Sequence, residues 1–156
     1  MKKSSANTVD IGQKYETKFR SQLKSYFKSA KKTYFTYKNP DFRSSGNNNQ
    51  AMPDRLIIYQ GMSWLIEIKH TNSVTSFPLA NIPNHQIGYL LAHKQKGHGK
   101  SYIVIYNPDN EKGLFIDVHD FTKYFIKNPT KKSITFKELD KISINANHLD
   151  IIFKKH

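Results

Sequence analysis

The stretch PDRLIIYQGMSWLIEIK, residues 53–69, constrains this chain more than any other. Two runs rich in β-forming residues, 54–59 and 62–69, flank Gln60-Gly61. Glycine accepts the positive φ of a two-residue turn, so the runs read as one antiparallel hairpin. That turn sets Leu56 opposite Leu65, Ile57 opposite Trp64, and Asp54 opposite Glu67. Directly opposed residues share a face, with Cβ atoms about 4.5–5.5 Å apart. Lys69, two residues beyond Glu67, lies on the same face. An apolar hairpin thus gathers two carboxylates and an ammonium at one end. Charges in such a place are costly unless something compensates them. Carboxylates this close repel and shift a pKa upward, and a hard divalent cation with oxygen ligands relieves the repulsion. Lys69 would then orient or deprotonate a bound water, or stabilise charge developing on a phosphoryl group. Glu-x-Lys alone is more often an exposed ion pair; the aspartate opposite it favours a metal site for phosphodiester hydrolysis.

The rest of the composition agrees with a nucleic-acid substrate. Among 156 residues, 25 Lys and Arg face 12 Asp and Glu, a net charge of +13. Such a surplus favours a polyanion, either nucleic acid or an acidic membrane surface. No run is long and apolar enough to span a membrane, and MKKSSANTVD lacks the apolar segment of a secretory signal. The chain has no cysteine, which excludes disulfides and cysteine zinc sites. Nine Tyr and ten Phe argue for a folded core in one domain spanning 1–156, with residues 1–9 expected to be disordered.

Apolar residues at Ile11, Tyr15, Phe19, Leu23 and Phe27 recur every four positions and predict a helix from Ile11 to Lys31, N-capped by Asp10. TYFTYK, 33–38, reads as a strand. The polar stretch 39–52 reads as a flexible loop, and TNSVTSFPLANIPN as a second loop. A helix from Asn81 or Asn84 to Lys96 ends at Gly97 and Gly99. SYIVIY, 101–106, is a strand covered on both faces, and LFIDV, 114–118, another. HDFTKYFIK is a short helix. Beyond Asn128, TFKELDK suggests a helix and HLDIIF an edge strand. The order α-β-β-β-α-β-β implies an α/β fold, a mixed sheet flanked by helices.

Pro53-Asp54 followed by Glu67-Ile68-Lys69 resembles the signature of the PD-(D/E)xK nuclease superfamily. TSFPLANIPNHQIGYL, 75–90, is similar to the segment that follows Glu-x-Lys in RecU, the Holliday junction resolvase of Gram-positive bacteria and their phages. There a Thr-Ser-Phe-Pro-Leu run, a spacer and a His-Gln pair occur in the same order. The resemblance covers about residues 10–120 and is strongest over 53–90. It implies a restriction-endonuclease-like core. It also implies catalytic roles for Asp54, Glu67, Lys69 and Gln86, with metal held by Asp54, Glu67 and the Ile68 carbonyl. Glu16 matches loosely an acidic residue that the superfamily places near the metal; otherwise it is a solvent-facing helix glutamate. The metal implied is Mg²⁺, with Mn²⁺ able to substitute. The implied protein is cytoplasmic and nucleoid-associated, of bacterial or phage origin, and acts as a homodimer on four-way DNA junctions, away from membranes. His85 is expected to pack or cap, and Trp64 to lie in the core. Two departures stand out. Proline precedes Asp54 where RecU usually carries threonine, and the loop 39–52 replaces a longer stalk, which puts junction selectivity in question.

The candidate DNA-binding residues are Lys14, Lys18, Lys24 and Lys28 on the first helix, with Lys31 and Lys32 beyond them. Arg43 in the loop, and Lys96 and Lys100 within HKQKGHGK, complete the set. Nothing in these segments reads bases, so recognition by shape and phosphate is expected. Competing readings are a nuclease of the same superfamily with another DNA substrate, of restriction or mobile-element type, and a non-catalytic DNA-binding protein in which Glu67 and Lys69 form only an ion pair.

Overall fold

The computed structural model describes residues 5–39, 52–96 and 99–154, and the side chains from Ile11 onward within that range. Helix α1, Ser5–Ser29, comes first. Its buried stripe is Tyr15, Phe19, Leu23 and Phe27, as the four-residue spacing predicts. The helix begins before Asp10, which is therefore interior and not the N-cap. Residues 5–9, expected to lack order, are helical.

Strands β1 (Phe35–Lys38), β2 (Arg55–Tyr59) and β3 (Met62–His70) form an antiparallel meander. The β2–β3 register places Leu56 opposite Leu65 and Ile57 opposite Trp64, as the turn chemistry demands. Gln60 and Gly61 take φ of 49° and 75°, the left-handed pair of a two-residue hairpin turn. After β3, the segment expected to be loop holds β4 (Ser76–Pro78) and a 3-10 turn, Leu79–Asn81. Helix α2, Asn84–Gln95, follows Pro83. Strand β5 (Gly99–Tyr106) then pairs parallel with β3 and antiparallel with β6 (Gly113–Asp117). Helix α3, Val118–Lys127, is capped by the Asp117 side chain, which accepts the His119 N–H at 2.8 Å.

The end of the chain adds β7 (Ser133–Thr135), α4 (Phe136–Ile142), β8 (Ser143–Asn145) and α5 (Leu149–Ile152). β7 pairs with β4 in a small second sheet. The main sheet runs β1-β2-β3-β5-β6-β8. HLDIIF is thus not an edge strand: Leu149–Ile152 is a helical turn, and the edge strand is Ser143–Asn145. A short apolar run fits either period, and here its apolar side chains face α1, where Ile152 and Phe153 are buried.

Each face of the main sheet carries its own core. On one face α1 and α5 cover Ile57, Tyr59, Trp64, Ile66 and Phe115. On the other, α2, α3 and α4 cover Leu65, Ile103, Ile105, Leu114 and Ile116. The Trp64 indole N–H donates to the Ile152 carbonyl at 3.1 Å, which ties α5 to the hairpin. Covered on both faces, β3 is buried from Trp64 to Ile68, so its glutamate lies inside the protein.

Candidate active site

β2 starts at Arg55, opposite Ile66. β3 runs on alongside β5, from Glu67 opposite Ile103 to His70 opposite Tyr106. From Glu67 onward β3 therefore has, among the described residues, no strand partner on its β2 side, which leaves a notch in the sheet. Asp54 turns into that notch. Its backbone N–H donates to Glu67 Oε2 at 3.2 Å, and its Oδ2 accepts the Ile68 N–H at 2.7 Å. Each carboxylate is thus positioned by the backbone of the other's strand. In an extended strand the N–H and C=O of one residue point the same way, so the Ile68 carbonyl also projects toward Asp54.

Lys69 Nζ lies 2.7 Å from Glu67 Oε1. Both side chains share the Leu65 face of β3, by strand alternation. Glu67 is 1% exposed, and the Lys69 side chain 15%. Burial first, and Asp54's charge second, push the Glu67 carboxyl up to about 7, against the opposing pull of Lys69. Burial also raises Asp54, while the Ile68 N–H and Lys69 pull it back. The pair sits inside the protein with one ammonium for two acids. A divalent cation suits such a donor set: it would supply the missing positive charge, and the remaining Asp54 oxygen has no hydrogen bond among the described residues.

Gln86 occupies the first turn of α2 and is 4% exposed. Its Oε1 is buried without a hydrogen-bond partner among the described residues. Leu90, one turn on, packs in the core that contains Leu65, so Gln86 lies on the same side of the sheet as Glu67 and Lys69. A buried amide oxygen without a partner on that side of the sheet calls for a donor or cation from outside the described residues.

Glu16 is placed differently. It projects from α1, on the opposite face, and pairs with Lys38 of β1 at 2.6 Å. Its negative charge nevertheless raises Asp54. Among the described residues no three acidic or histidine side chains converge as a ligand set; the acids that approach one another are Asp54 and Glu67. Sequence reasoning overlooked two basic neighbours. Lys38 holds Glu16, and Arg55, directly after Asp54, is 6% exposed with its Nη1 3.3 Å from Thr36 Oγ1. The Asp54-Arg55 adjacency was the available signal, since strand alternation sends Arg55 to the α1 face.

The basic residues divide into paired and free. Lys14 and Lys18 both pair with Glu111, Lys18 at 3.2 Å. Lys24, Lys28 and Lys96 are exposed. Lys100 donates to the Lys154 carbonyl at 3.2 Å and is partly buried, so it ties the C-terminal segment to β5. Arg43 and the loop through residue 51 lie outside the described residues, as do Gly97 and His98. His85 packs edge-on to Tyr89, ring centroids 6.5 Å apart.

A comparison with curated protein sequences finds no match. Among solved structures, the fold is similar to that of Hjc from Archaeoglobus fulgidus, a Holliday junction resolvase of a hyperthermophilic archaeon. The TM-score is 0.54 at 13% identity, covering 85% of this chain and 98% of that one. The profile of the family described as Recombination protein U matches residues 15–154, which takes in the hairpin, the notch and α2. The chain therefore belongs to the Recombination protein U family and is, like the family its motif resembles, a Holliday junction resolvase, an endonuclease of DNA recombination.

Proposed function

We propose that this resolvase hydrolyses the junction's phosphodiesters with Mg²⁺ at the Asp54–Glu67–Lys69 notch, and works as a homodimer. The observation that carries the reading is the reciprocal clamp of Asp54 and Glu67 by each other's backbone, with Lys69 2.7 Å from Glu67. Asp54, Glu67 and the Ile68 carbonyl would hold the cation, joined by Glu16 if it leaves Lys38. When bound, Mg²⁺ would acidify a water and offset the negative charge of the phosphate.

The chain's own groups do the rest. Lys69 orients the attacking water and stabilises the charge that grows on the phosphoryl oxygens. Gln86, in the first turn of α2 with its Oε1 buried and unpartnered among the described residues, would accept a hydrogen bond at the reacting centre. The water oxygen bonds to phosphorus as one P–O ester bond breaks. The water's proton leaves to solvent, and the departing oxygen takes up another. Two strands of a four-way junction must be cut symmetrically, and a two-fold dimer presents two such notches.

The test is cleavage of labelled four-way junction and linear duplex, with Mg²⁺ and with chelator. Asp54→Ala, Glu67→Ala and Lys69→Ala should each abolish cleavage yet still bind junctions in a gel shift. Cleavage at the wild-type rate by Glu67→Ala would remove the notch as the site. Sedimentation without DNA reads the dimer.

A further inference from the structure

Arg55 is a buried charge that the cutting chemistry leaves unused. It is 6% exposed and makes no ion pair among the described residues. Its Nη1 reaches Thr36 Oγ1 at 3.3 Å, a long contact, and its Nε is buried without an acceptor. A guanidinium carries five N–H donors, and burying one without an anion is costly. The acids close enough to act on Arg55 are Glu16 and Asp54. Both are engaged elsewhere: Glu16 with Lys38 at 2.6 Å, and Asp54 Oδ2 with the Ile68 N–H at 2.7 Å. Among the described residues, no acid is left for Arg55.

The other charged neighbours are cations. Lys38 stands directly opposite Arg55 on β1, and opposed residues share a face. Arg20, exposed on α1, also acts on Arg55 and lies one helical turn from Glu16. Three cations thus gather on the α1 side of the hairpin around the single acid Glu16. The Glu16–Lys38 pair reaches from α1 to β1 beside Arg55, and its side chains are 25% and 49% exposed. Pairs that meet water hold weakly, so an incoming anion can part them and reach the guanidinium.

Chemistry and position select the anion. The guanidinium fork fits the paired oxygens of a phosphate, and this family acts on DNA. Arg55 follows Asp54 and opens β2, so it stands at the rim of the notch, on the α1 side. Glu67, Lys69 and Gln86 lie on the α2 side. Resting on the notch as the place of cutting, we propose that Arg55, flanked by Arg20 and Lys38, holds a DNA backbone phosphate next to the one that is cut. That grip sets which bond of the strand enters the notch.

The unpaired arginine costs the free protein stability and is satisfied only in the complex, so the test reads two opposite signs. Arg55→Met removes a buried charge and keeps much of the side chain's length, so without DNA the variant should be at least as stable as wild type in urea. Its junction affinity, by gel shift in chelator, should nevertheless fall about tenfold, and its salt slope should drop by about one. Glu16→Gln removes the competing acid and should bind junctions about threefold tighter or more. Inorganic phosphate, against chloride at equal ionic strength, should raise the Tm of wild type and of Glu16→Gln more than that of Arg55→Met. Lower stability of Arg55→Met without DNA would overturn the inference, since it would make the arginine structural. Junction affinity of Arg55→Met equal to wild type would overturn it too, whatever free phosphate does. Should Arg55→Met not fold, Arg55→Lys decides: it keeps the charge without the fork, and affinity equal to wild type sinks the idea. Continued cleavage by Glu67→Ala would instead overturn the notch, while these affinities, taken without metal, still report on Arg55.

Discussion

Replacing Glu67 by glutamine should make the protein more stable at high pH while removing its activity. The Glu67 carboxyl sits at about 7 in the folded protein against an ordinary 4.5. Each tenfold difference is worth about 1.36 kcal/mol, so full ionisation in the fold costs about 3 kcal/mol. Between those two values the folded state binds more protons than the unfolded one, so stability falls as pH rises. The contribution is fully present below 4.5 and is lost as pH passes through 7. Glutamine has no such titration. The difference in unfolding free energy, variant minus wild type, should be near zero at pH 4.5. It should rise to about 2 kcal/mol at pH 8 once the loss of the 2.7 Å Lys69 contact is deducted. For a chain of this size that is a gain in Tm of several degrees. Urea unfolding of both proteins at pH 4.5, 6 and 8 measures it. Mg²⁺ should restore part of the wild type's lost stability at pH 8 and little of the variant's, because a ligand of the folded state stabilises it. A difference that stays flat from pH 4.5 to 8 would refute the argument, for it would mean that Glu67 is ionised as easily inside the protein as in water.

The other expectations are briefer. Junction affinity should fall steeply with salt, since lysines on phosphates release counterions; a flat plot of log K against log salt would exclude phosphate contact as the main source of binding. Replacing residues 43–50 by a short Gly-Ser linker should leave metal-dependent nicking possible but erase the preference for junctions over duplex, read by competition gel shifts; an unchanged ratio would assign selectivity to dimer geometry or to the basic first helix. Trp64→Ala should destabilise the fold by about 3–5 kcal/mol, because it empties a fully buried site and frees the Ile152 carbonyl; chemical unfolding reads this directly.

Much of the site was legible because local chemistry encodes it. Gln60-Gly61 dictates a tight turn, and with it the register that brings Asp54 toward Glu67 and sets Lys69 on the same face. The four-residue spacing of Tyr15 to Phe27 likewise announces which side of α1 is buried. Other features depend on partners far away in the chain. SFP becomes a strand only because Ser133–Thr135 pairs with it, and no local signal foretells a partner that distant. HLDIIF fits two periods, and the α1 face of the sheet chose the helical one by burying Ile152 and Phe153. For Glu16 the sequence leaves two readings open, an acid near the carboxylates or a solvent-facing helix glutamate; the fold sets it on α1, across the sheet and paired with Lys38. Turns and periodicity are properties of neighbouring residues, so the sequence carried them. Which charge meets which depends on how helices cross a sheet, and the packing of the whole chain decided that.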